Sequence, residues 1–126
     1  MAKNLLAGFL GLIAFMASSL ALSAPASADT VTFRVQSLYQ YKVQIEFYSQ
    51  ARDAAWPGNG NAYNLDDYDT HAFTLECVTG EQICYGAWVT GDDSQYWGVG
   101  NNNQYSCDSC CLVCGKGEGP VFTLNP

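Results

Sequence analysis

Apolar and polar residues alternate over residues 31–37, where Phe33 and Val35 fall on one face and Thr32, Arg34 and Gln36 on the other. The same period is clearer over residues 41–47, with Tyr41, Val43, Ile45 and Phe47 set against Lys42, Gln44 and Glu46. Successive side chains of a strand point to opposite faces, so each run predicts a half-buried strand. Further runs at 72–78, 82–89, 95–99 and 121–124, with a short one at 63–65, hold strand-type residues between Gly, Asn and Asp clusters. No amphipathic stretch of helical period follows residue 28. The chain reads as all-β: a small disulfide-stabilised β-sandwich or open barrel of about six to seven short strands.

Ahead of these runs stands a different pattern. Lys3 is followed by an uncharged apolar run from residue 5 to 22, closed by Ala26-Ser27-Ala28. A basic start, an apolar middle and small residues before a cut are the parts of a secretory signal peptide, which places cleavage before Asp29. Residues 1–28 are therefore expected to be removed and residues 29–126 to form a single Cys-rich β domain, secreted or periplasmic, with no membrane insertion after cleavage. No pair of arginines precedes the apolar run, so export in the unfolded state is expected.

Cleavage sharpens the charge. All twelve acidic residues follow the cut and Lys3 precedes it, so the mature chain is one unit more negative than the −7 of the full chain. An acidic surface repels phosphate backbones and anionic headgroups, which argues against nucleic acid and against electrostatic membrane docking.

The six cysteines, Cys77, Cys84, Cys107, Cys110, Cys111 and Cys114, all lie after the cut. In a short exported domain an even count predicts disulfides, here three of them. Two arrangements compete. In the first, Gly80-Glu81 forms a two-residue II′ hairpin loop, which sets Cys77 opposite Cys84 at bonding distance. Two bridges must then close within the eight residues 107–114, a tight fit. In the second, Cys77 and Cys84 go separately into the cluster and leave one short bridge there.

The cluster itself, Cys107-Asp108-Ser109-Cys110-Cys111-Leu112-Val113-Cys114, contains two abutting CxxC units and has room for no more than a helical turn. CxxC also serves redox enzymes and zinc sites, so a redox or metal-binding protein is the alternative reading. No βαβ setting accompanies it, and the oxidising compartment favours structural bridges, so no metal and no cofactor is expected. His71 is the only histidine. A triad with Asp69 is conceivable, as are carboxylate pairs or calcium ligands among Asp66, Asp67, Asp69, Asp92 and Asp93. Neither a nucleophile elbow nor a complete EF-hand loop is present, so no catalytic residue is assigned and the domain is expected to be non-catalytic.

Two segments are longer than connections need to be: 49–70, containing Trp56-Pro57-Gly58-Asn59-Gly60-Asn61, and 90–103, containing Tyr96 and Trp97 and ending in three asparagines. Trp88 is expected in the core. Trp56, Tyr63, Tyr96 and Trp97 are the candidate binding residues, because aromatic rings on loops present stacking surfaces to a glycan or a protein partner.

Overall fold

The two alternating runs become neighbours in sequence but members of different sheets. The computed structural model describes residues 27–126; the apolar leader and Ala26 of the expected cleavage motif fall outside the described residues. Nine strands follow: β1 (Ala28–Ser37), β2 (Val43–Ser49), β3 (Ala55–Trp56), β4 (Tyr63–Leu65), β5 (Thr70–Val78), β6 (Gln82–Val89), β7 (Asp92–Gly98), β8 (Cys111–Val113) and β9 (Glu118–Leu124). The fold is all-β, and its helical content among the described residues is two single 3-10 turns, Asn101–Asn103 and Asp108–Cys110.

A three-stranded sheet has the order β5-β1-β9, with β9 parallel to β1. In the six-stranded sheet β2 and β6 are the centre, paired antiparallel from Val43↔Val89 to Ser49↔Ile83. Each is flanked by two strands set end to end. β3 and β4 pair with opposite ends of β2, and β8 and β7 with opposite ends of β6. The two-residue β3 and three-residue β8 went unpredicted, because neither is long enough to show a period.

The predicted inward residues are inward. Val31, Phe33 and Val35 of β1 share one buried cluster with Val43, Ile45 and Phe47 of β2. Phe33 and Phe47 meet across the two sheets with ring centroids 4.7 Å apart. Tyr41 departs from the expectation: it precedes β2 and is 61% exposed, because the chain is still turning between sheets there.

All six cysteines are paired, and the hairpin arrangement is the one that fails. Cys77 bonds Cys114, Cys84 bonds Cys111, and Cys107 bonds Cys110. The turn after β5 does not fold β6 back beside it; it carries the chain from the small sheet to the large one. Cys77 therefore joins the core between the sheets, while Cys84 belongs to a separate buried cluster with Tyr48 and Val99. Cys84 does meet a cross-strand cysteine, but on β8, where Cys111 is its register partner. The turn also differs in type: Glu81 N–H donates to Val78 C=O (2.9 Å) and Gly80 has φ 86°. That makes Gly80 the third residue of a type II turn, the place where positive φ is required.

Glu81, expected in the two-residue hairpin loop, is buried. Its carboxylate accepts the Val78 N–H at 2.9 Å and a two-pronged ion pair from Arg52. The Arg52 guanidinium holds the Glu81 carboxyl down to about 2. A depressed carboxyl stabilises the fold fully above its ordinary value of 4.5, and that contribution is lost as pH falls towards 2. Arg52 is half exposed, so solvent screens the pair and the contribution is about 2 kcal/mol. Glu81→Gln is expected to be less stable than the wild type by that amount at pH 7, and the two urea midpoints should converge by pH 2. A constant gap across that range would remove Glu81 as its source.

Candidate functional site

The polar half of the β2 alternation, Gln44, Glu46 and Tyr48, faces away from the shared core, and so do Cys84, Gly86 and Trp88 of β6. Register sets these side chains in three rows. Gln44 lies opposite Trp88 and Trp88 opposite Tyr96 of β7; Glu46 lies opposite Gly86; Tyr48 lies opposite Cys84, and Cys84 opposite Cys111.

The third row is covered. Tyr48, Cys84 and Val99 form a small buried cluster, with Ala55, Cys107 and Cys111 packed on it. Over the second row lies the loop that follows β7, and Gly86 is what lets it lie there: a Cβ at this position would stand 1.9 Å from the Gly100 carbonyl oxygen. The loop is tied down at Asn102, whose N–H donates to the Tyr48 hydroxyl (3.0 Å), and at Asn103, whose Oδ1 accepts from the Gln50 side-chain amide (3.1 Å). Asn102 and Asn103 both have left-handed backbone, φ 59° and 55°, which asparagine tolerates better than other side-chain-bearing residues. Burial pushes the Tyr48 phenol up, with the Glu46 carboxylate acting in the same direction, so it remains a protonated donor throughout the physiological range.

The first row stays open. Between the asparagine loop and the segment from Ser49 to Gly60 runs a cleft of about 710 Å³, with Gln44, Glu46, Tyr48 and Trp88 along the sheet and Arg52, Asp53 and Asn59 on the facing wall. That wall is built by local bonds. The Ser49 hydroxyl accepts the N–H groups of Ala51 (3.2 Å) and Arg52 (3.1 Å), and the Arg52 guanidinium lies over the Trp56 ring at 5.7 Å while it grips Glu81. At the other end of the row, Tyr96 and Tyr105 stack face to face, 3.9 Å apart and 7° from parallel, with 39% and 42% of their surfaces exposed.

The four aromatic candidates are thus divided. Tyr96 stands on the outer face as the cross-strand partner of Trp88, outside the residues that line the cleft. Trp56 is the register partner of Phe47, packs at the core margin, and donates its indole N–H to the Glu76 carbonyl (3.0 Å). Tyr63 packs on Phe47 and Phe73, and Trp97 packs on the core and donates to the Asn125 carbonyl at 2.7 Å. Trp88 is 7% exposed and donates to Gln44 Oε1 at 3.3 Å, leaving only an edge of the ring in the cleft. Tyr48 and Arg52 were not singled out by the sequence reading, and Glu46 entered only as part of the polar half of the β2 alternation, which Tyr48 continues by one step.

His71 pairs with Asp67 (2.7 Å), not Asp69, and this contact holds the Asp67 carboxyl below its ordinary range. Asp67 lies in the turn ahead of β5 and His71 on β5 itself, opposite Val35, both side chains being partly open to solvent. Asp92 and Asp93 instead lie beside Trp88 and Asn101. Among the described residues no three His, Cys, Asp or Glu side chains converge as metal ligands, and no helix is long and apolar enough to cross a membrane. Compared with protein-family models, with curated proteins and with solved structures, the chain matches none.

Proposed function

We propose that residues 29–126 form an exported, non-catalytic binding domain, its two sheets packed as a sandwich, and that it holds a glycan on the outer face of the six-stranded sheet. The observation that carries this reading is the character of the cleft: side-chain amides from Gln44 and Asn59, carboxylates from Glu46 and Asp53, and the Tyr48 hydroxyl line it, and Trp88 at its edge is the cross-strand partner of Tyr96, one of an exposed tyrosine pair. A sugar presents hydroxyls that need both donors and acceptors, and C–H faces that pack on aromatic rings. A protein partner is the less fitting occupant, because protein interfaces concentrate binding energy in an apolar, desolvated centre. Three disulfides and the acidic surface suit an extracellular or periplasmic setting.

The test is a titration of the mature protein with soluble oligosaccharides of cellulose, chitin, xylan and mannan, read by tryptophan fluorescence and calorimetry. At least one series should saturate. Gln44→Ala and Glu46→Ala should each weaken that binding about tenfold, the loss expected for one or two polar contacts. No saturation with any series, in protein shown to be folded, would reject the glycan reading.

A further inference from the structure

Resting on that reading, we infer that the site is a groove for an extended, uncharged stretch of polysaccharide spanning about three sugar units, set by the width of the strands beneath it. A second depression of about 320 Å³ lies beside the cleft, formed by Gly91, Asp92 and Asp93, and it shares Trp88 and Asn101 with the cleft. The binding surface therefore continues past Trp88 to the start of β7. The row beneath it, Gln44–Trp88–Tyr96, crosses three adjacent strands in register. Neighbouring strands lie about 4.8 Å apart, so the row covers about 10 Å, and the walls on either side lengthen it. A pyranose repeat is close to one strand spacing in length, so successive units fall over successive strands.

The order of chemistry along the groove gives each unit a different neighbour. At the Gln44 end the amide and the Glu46 carboxylate take hydroxyls. Over Trp88 the ring edge offers only a narrow apolar contact, since its indole N–H is already bonded to Gln44. At the Tyr96 end the tyrosine pair offers the exposed aromatic surface. Charge sets the class of chain. Glu46, Asp53, Asp92 and Asp93 line the two depressions, and Arg52, the cation among the lining residues, is already engaged by Glu81. Uronate and sulfated chains would meet unbalanced negative charge there.

The experiment is a length series, from one to six units, in each of the four neutral oligosaccharide families named above, with oligogalacturonates and heparin fragments as anionic counterparts. Affinity in the binding family is expected to rise at least tenfold from two units to four and then level off. Tyr96→Ala should remove most of that rise, and Asp93→Ala should reduce it, whereas Thr74→Ala, on the other sheet, should leave the whole series unchanged. Two units binding as tightly as four would show a pit rather than a groove and overturn this inference while leaving the glycan reading intact. Tighter binding of the anionic chains would overturn it as well. If no member of any series binds, the glycan reading itself fails and the groove with it.

Discussion

With Cys77 and Cys114 both replaced by alanine, the protein is expected to lose about 4 kcal/mol of stability, the largest loss from removing any one of its three bridges. The two residues are 37 apart in sequence, against 27 for Cys84 and Cys111 and 3 for Cys107 and Cys110. A bridge restricts the unfolded chain more as the loop it closes lengthens, and the same relation gives less than about 2 kcal/mol for the shortest. Location adds to length. Cys77 lies on β5 in the three-stranded sheet, and Cys114 directly follows β8 in the six-stranded one, so this bridge ties the two sheets across the core. Both sulfurs are buried there, and their removal leaves a cavity as well. Urea unfolding of the three double-alanine variants would check the order; equal losses would show that loop length does not govern it.

Gly86→Ala is expected to cost about 3 kcal/mol and to abolish glycan binding together with it. The methyl would meet backbone, the Gly100 carbonyl oxygen, at a distance no packing allows, and Tyr48 closes in from the side at 3.0 Å. The loop must therefore lift from the sheet, which breaks the Asn102 N–H bond to Tyr48 and takes away one wall of the cleft. Gly117→Ala, outside the cleft, is the matched control: its Cβ would meet nothing within 4 Å, although φ 83° makes that substitution strained. Calorimetric stability and the binding titration should separate the two variants, Gly117→Ala retaining the cleft. A Gly86→Ala protein that binds as the wild type does would show that the loop is not part of the site.

The aromatic candidates show where inference from position along the chain stops. Trp56 and Trp97 lie among Gly, Pro and Asn residues, a setting typical of loop tips, yet both rings turn inward and spend their N–H groups on backbone carbonyls. Tyr105 stands just past the second long segment, an aromatic whose neighbours are not given by its position along the chain. Its ring gains a role only because the positive-φ turn at Gly100 brings it back over Tyr96.

What the sequence by itself determined is local: the faces of β1 and β2, the extents of β4 and β6, and an even set of cysteines bound to pair. Each follows from side-chain period or from covalent chemistry, which are legible along the chain itself. The two stretches read as long loops instead hold strands, β3 and β4 in 49–70 and β7 in 90–103. Only the tertiary structure decided which sheet each strand joins, and three consequences hang on that. Gly80 can serve an early position in a hairpin or a late one in a type II turn, and the second carries β6 away from β5, so Cys77 and Cys84 point to different sides of the large sheet. Glu81 is buried because that same turn sets it against Arg52. The cleft exists because Gly86, which reads in sequence as one more residue of an apolar strand, is a notch into which a loop fourteen residues further along descends. Alternation specifies which way a side chain points; what it meets there depends on strand partners chosen by packing across the whole chain.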